Sequence, residues 1–125
     1  MITIEPLNVF AEHDRGKTLL FDNERTGEFI LGYRNKDSIS GRHYHKGDAL
    51  NKNPEILILI SGVIQLKTIN LSNKSEQIVK VETPSRIEIP VMIWHEVIAL
   101  TDCVFLETNS INDCDTDTYR LEETA

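Results

Sequence analysis

The chain has 125 residues, 40% of them hydrophobic, enough for one compact domain with an ordinary core and too few for a second. Its formal net charge is −7, with no cluster of Lys or Arg, so it repels phosphate backbones and nucleic-acid binding is not expected; a local basic pocket for a small anion stays open. No apolar run approaches the ~20 residues that span a membrane, and Met1–Pro6 lacks a basic stretch followed by a long apolar core, so neither membrane association nor export is expected and residence is expected to be cytoplasmic.

Short β-rich runs broken by turn residues dominate the chain. Lys17–Phe21 is the first, and Glu28–Tyr33 follows the turn-like Asn23–Gly27. Ile39–His45 comes next, then a polar loop over 48–54 containing Asn51, Asn53 and Pro54. Ile56–Ile60 is apolar throughout and β-branched, as in a strand buried on both faces. Ser61-Gly62 is expected to turn it tightly into Val63–Leu71 as a hairpin. Gln77–Val81, Arg86–Ile89, Trp94–Leu100 and Cys103–Thr108 complete the strands. The acidic tail after Asn109 suits a short helix or an extended arm. Many short strands without a convincing amphipathic helix predict an all-β antiparallel barrel or jelly roll.

Side chains alternate along a strand, so His43 and His45 share one side while Arg42 and Tyr44 take the other. If Glu55 faces inward, Leu57 and Leu59 do too; with His95 go Val97 and Ala99. Three imidazoles and a carboxylate inside an apolar barrel suit a borderline divalent metal. They suit a metal-free acid–base pocket equally well. His13, in the polar run 12–15, reads as a surface residue. Cys103 and Cys114 lack the spacing of a disulfide framework or zinc knuckle, and Cys103 reads as a buried small hydrophobe. The run 113–117 superficially resembles a calcium loop but lacks its glycine and distal glutamate, so it reads as a solvated turn.

These segments resemble the two motifs of the cupin superfamily. Gly41, His43, His45, Glu55 and Gly62 match the first; Pro90 and His95 match the second. The resemblance implies a single-domain cupin, a double-stranded β-helix over 1–125 with 109–125 as an acidic arm. It also implies a divalent metal ion (Zn, Fe, Mn or Ni) held by His43, His45, Glu55 and His95. Two departures stand out. Nine residues separate His45 from Glu55, a longer interval than the family's, which predicts an insertion able to displace Glu55. Met92 occupies the second motif's turn glycine, and since methionine resists positive φ, a different backbone is expected there.

Gly41–Lys46, Ile89-Pro90, Trp94-His95 and Asp117-Thr118-Tyr119 resemble more narrowly the sugar-nucleotide cupins: the dTDP-sugar 3,4-ketoisomerases and the epimerase-type domains of capsule biosynthesis. That resemblance implies an isomerase or epimerase acting on a carbonyl sugar, nucleotide-linked, by proton transfer through His43 or His45, with Tyr33 as the candidate acid. Arg34 and Arg42 are candidates to grip a diphosphate, since Ser40 stands where those relatives carry an arginine; Trp94 is the candidate to stack on sugar or base. A metal-dependent oxygenase or other oxidoreductase, and a non-catalytic ligand-binding cupin, are the alternatives. A homodimer is expected, with the apolar strand Ile56–Ile60 suited to sheet pairing.

Overall fold

The computed structural model describes residues 1–121. In chain order its strands are β1 (Thr3–Pro6), β2 (Asn8–His13), β3 (Gly16–Leu20), β4 (Ile30–Arg34), β5 (Ile39–His43), β6 (Glu55–Ser61), β7 (Val63–Asn70), β8 (Glu76–Glu82), β9 (Ser85–Ile89), β10 (Ile93–Ala99) and β11 (Cys103–Glu107). A 3-10 turn, Leu50–Lys52, precedes β6, and one short helix, α1 (Ile111–Thr116), follows β11. One sheet runs β1-β9-β6-β11-β4 and the other β5-β10-β7-β8; β2 and β3 pair only with each other. No helix of the described residues is long and apolar enough to cross a membrane.

Alternation builds the core. β7 turns Ile64, Leu66 and Thr68 inward, and β9 turns Ser85, Ile87 and Ile89 inward. These meet Leu57 and Leu59 of β6, with Val81, Ile93, Ala99 and Cys103. Each fully buried aliphatic side chain contributes roughly 1.5–3 kcal/mol of transfer free energy. Cys103 is the buried small hydrophobe expected of it.

β6 is buried on both faces from Ile56 to Leu59, but it is also the central strand, flanked by β9 and β11. The strand suited on sequence grounds to pair with a second copy is therefore used up inside the domain. The hairpin expected at Ser61-Gly62 is absent as well: β6 pairs with β9 and β11, while β7 pairs with β10 and β8. The two residues carry the chain from one sheet to the other. Gly62 has φ +95, and a Cβ there would run into Asp102 O and the Cys103 side chain, so the corner needs glycine twice over. The first two strands carry no strong alternation and were not expected.

The turn before β10 keeps the positive φ that methionine was expected to avoid. Met92 has φ +62, its N–H donates to His45 O at 2.8 Å, and its carbonyl accepts from Leu71 N at 3.2 Å. These bonds fix β10 relative to His45 at a cost of roughly 1–2 kcal/mol of left-handed strain. Met92→Gly is therefore expected to stabilise the protein by about 0.5–1 kcal/mol, less than the strain because glycine loses more chain entropy. Denaturant unfolding checks this; a destabilised variant would contradict it.

Candidate active site

Gly41 and Arg42 both have positive φ, 80° and 61°, and the β5–β10 register slips there, so that His43 lies opposite His95 and Gly41 opposite Glu96. The bulge throws Arg42 outward, where its Nε donates to Glu96 Oε2 at 2.8 Å. Tyr44 forms a bridge with Tyr119, and His45 returns to the side of His43. The three imidazole centroids lie 4.8–5.3 Å apart.

Hydrogen bonds fix how two of these rings point. His45 Nδ1 faces Asp117 O at 2.5 Å and His95 Nδ1 faces Ile93 O at 3.1 Å. A carbonyl only accepts, so each Nδ1 carries a proton and donates it. Both Nε2 atoms then face one oxygen, Glu55 Oε2, at 2.9 and 3.1 Å. The other carboxylate oxygen, Oε1, takes the Lys52 ammonium at 3.2 Å. Glu55, His45, His95 and Lys52 are all buried. Burial works against the Glu55 charge, yet the bonds from His45 and His95, with the charge on Lys52, hold its carboxyl well below the usual carboxylate range. An Nε2 lone pair facing a carboxylate lone pair is repulsive unless something positive lies between them. The cluster therefore demands a cation at this point, a proton or a metal ion.

The donor set fits a metal. One donor atom from each of His43, His45, Glu55 and His95 falls within 4.8 Å of the others. Two of the imidazoles are tethered at Nδ1 by carbonyls, the usual outer support of a metal-binding histidine.

A cavity of about 110 Å³ opens beside the cluster, walled by Leu57, Leu59, Ile87, Val97 and Phe105. Arg34, Ser40, His43, Glu55, His95 and Glu107 supply its polar groups. His43 is pushed down to about 3, first by burial and then by the neighbouring His95, so it is a neutral base at pH 7. Glu107 is pushed up by burial and by the charge of Glu55, which suits it to hold a proton. The Arg34 guanidinium lies 4.9 Å from the Phe105 ring centroid.

No family model matches the sequence. No curated protein sequence matches it either. Solved structures do. A sugar 3,4-ketoisomerase, QdtA from Thermoanaerobacterium thermosaccharolyticum in complex with TDP, superposes with a TM-score of 0.72 at 18% identity, over 96% of this chain and 88% of that one. The TDP-quinovose 3,4-ketoisomerase WlaRB of Campylobacter jejuni gives 0.67 at 16% identity, over 99% and 88%. The dTDP-4-dehydrorhamnose 3,5-epimerase of Sulfolobus tokodaii gives 0.64 at 19%, over 98% and 72%. The fold is that of a small cupin.

Within the cupin barrel, His43, His45, Glu55 and His95 converge as the parity argument expected. The long 46–54 loop does not displace Glu55. It folds back on itself, pinned where the Lys46, Gly47 and Ala49 N–H groups donate to the Asp117 carboxylate at 2.8–3.1 Å. Arg25 Nη1 ties the loop again by donating to Asn51 O at 2.6 Å. Arg34 and Ser40 reach the cavity wall. Tyr33 does not: it is 69% exposed, because β4 turns Gly32 and Arg34 inward and Leu31 and Tyr33 outward. Arg42 points away by the bulge and is occupied by Glu96. Trp94 alternates with His95 and is no part of the cavity wall.

Lys52, Glu107 and Asp117 were missed. Glu107 was within reach, since Cys103, Phe105 and Glu107 share the inward parity of β11. Asp117 belongs to a run that reads in sequence as a solvated turn, yet it is fully buried at the end of α1, a helix started by a Ser110–Asp113 capping box. Burial opposes its charge, but the N–H donors of Lys46, Ala49 and Gly47 hold it below the usual range.

Proposed function

We propose that this cupin isomerises or epimerises a carbonyl sugar carried on a nucleoside diphosphate, by histidine-mediated proton transfer. The observation that carries the reading is a neutral imidazole, His43, in the wall of an apolar cavity, 4.8 Å between centroids from His95, whose Nε2 faces the buried Glu55 carboxylate at 3.1 Å. The ketoisomerase and epimerase neighbours, one of them with TDP bound, support the substrate class. His43 removes the proton on carbon beside the ketone. The His95–Glu55–His45 group offers positive charge to the enediolate oxygen, and Glu107 stands where it can return a proton to another carbon or face. Glu107 takes the acid's part that Tyr33 cannot fill. A divalent ion (Zn, Fe, Mn or Ni) held by His45, Glu55 and His95 would supply Lewis-acid stabilisation of that oxygen and leave the His43 lone pair free to act as the base.

Arg34, in place of the arginine absent at Ser40, is the cationic group facing the cavity that suits phosphate. Arg34→Ala is expected to raise the KM or Kd for a TDP-linked 4-keto sugar about tenfold, since a charge-assisted hydrogen bond contributes roughly 1.5–3 kcal/mol. Calorimetric titration with the TDP-sugar checks this, and unchanged affinity would remove Arg34 from the ligand site. The same donor set supports a second reading, a redox-metal oxygenase. Bound iron at one equivalent with O2-dependent turnover would favour it. We also place the expected homodimer at the β2–β3 ribbon, where Val9, Phe10 and Leu20 are exposed on strands that hydrogen-bond to neither main sheet. Light scattering that finds only monomer would refute the dimer.

A further inference from the structure

We propose that Lys52 is a built-in counter-cation that weakens the hold of the histidine cluster on a divalent ion. The inference concerns ion binding and does not require the sugar reaction proposed above.

Lys52 is 1% exposed, which for an ammonium demands a partner. Its partner is Glu55 Oε1, at 3.2 Å. The placement is built into the chain. Lys52 closes the 3-10 turn Leu50–Lys52, and its N–H donates to Ala49 O at 3.0 Å. Asn53 N donates to Leu50 O at 3.1 Å and Arg25 holds Asn51 O, so the turn cannot swing Lys52 out to water without losing these bonds.

The ammonium has two consequences for a metal. The first is geometric. Oε1 is committed to Lys52 and Oε2 lies between the two Nε2 atoms, so the carboxylate is left one oxygen for an ion and cannot bind it through both. The second is electrostatic. With neutral imidazoles, Glu55 and Lys52 sum to zero, so a divalent ion would leave the cluster at +2 where a proton would leave it at +1. Repulsion by Lys52 scales with the incoming charge, so it penalises the divalent ion twice as heavily as the proton. Removing the ammonium frees Oε1 and leaves the Glu55 charge for the ion.

The test is calorimetric titration of chelator-stripped protein with Zn²⁺ and with Mn²⁺, with elemental analysis for stoichiometry. Lys52→Met is expected to bind one equivalent of Zn²⁺ about tenfold or more tighter than the unaltered protein, and Zn²⁺ is expected to raise its melting temperature by more. Lys52→Arg, which keeps the charge, is expected to bind like the unaltered protein. Lys52→Gln removes the charge but keeps a donor toward Oε1; it carries the same expectation as Lys52→Met and is decisive if that variant does not fold. Affinity equal to or weaker than that of the unaltered protein in the neutral variants, or a gain as large in Lys52→Arg, would overturn the proposal. Neither result bears on turnover of a sugar, so the two readings fail separately.

Discussion

His43→Gln is expected to lower turnover of a carbonyl-sugar substrate about a thousandfold while the protein stays folded. A positioned general base contributes roughly 10²–10⁴-fold, and His43 is the imidazole of the three that the cluster does not pin to Glu55: the ion pairs to that carboxylate belong to His45 and His95. Glutamine fills similar space without a basic nitrogen. His43 lines the cavity rather than the closed core, so its loss is expected to leave the core packing unchanged. The variant is also expected to change the pH dependence of stability. His43 is lowered to about 3 from 6.5 in the fold, so between those values the unfolded chain binds a proton that the native protein refuses. Its contribution is therefore full above about pH 6.5 and is lost as the pH falls toward 3. Denaturation midpoints across that window should fall less steeply with acidification in His43→Gln. Turnover within threefold of the unaltered protein would assign the base elsewhere.

Asp117→Ala is expected to cost about 3–5 kcal/mol of stability. The carboxylate is fully buried and accepts from the N–H groups of Lys46, Gly47 and Ala49. Alanine would leave three donors in a site that water does not reach. The damage extends to the chemistry, because the backbone carbonyl of the same residue receives the His45 Nδ1 proton and so aims Nε2 at Glu55. Any variant protein that remains folded is expected to lose turnover too. The charged form is favoured in the native state, so this stabilisation is present above the usual carboxylate range and lost as the pH falls through the lowered native value. Denaturant unfolding at pH 7 that shows a loss below about 1 kcal/mol would contradict this account of the three bonds.

Much of the site was legible because period-two alternation is a strong rule. It groups His43 with His45, Glu55 with Leu57 and Leu59, and His95 with Val97 on shared faces, and the barrel turns those faces inward and brings them together. It failed where a strand's facing had no anchor. Nothing in Glu28–Tyr33 says which parity is inward; the structure decides it by setting Gly32 against the Phe105 ring, which sends Tyr33 out. Loops were the harder case. Lys52 lies in a polar stretch that reads as solvated, and its burial depends on a tertiary partner, Glu55, together with a loop bound by Arg25 and Asp117. Local pattern carries no trace of such bonds. Met92 shows the reverse error: a residue that disfavours positive φ adopts it because two backbone hydrogen bonds hold the turn.

Incubating the protein with a TDP-linked 4-keto-6-deoxy sugar in D2O, and following the ring protons by NMR, tests the central claim most directly. Loss of the proton signal on the carbon beside the ketone, with solvent deuterium in its place, is the predicted result, and His43→Gln should abolish it. A sugar that binds yet keeps that proton through prolonged incubation with the unaltered protein would contradict it.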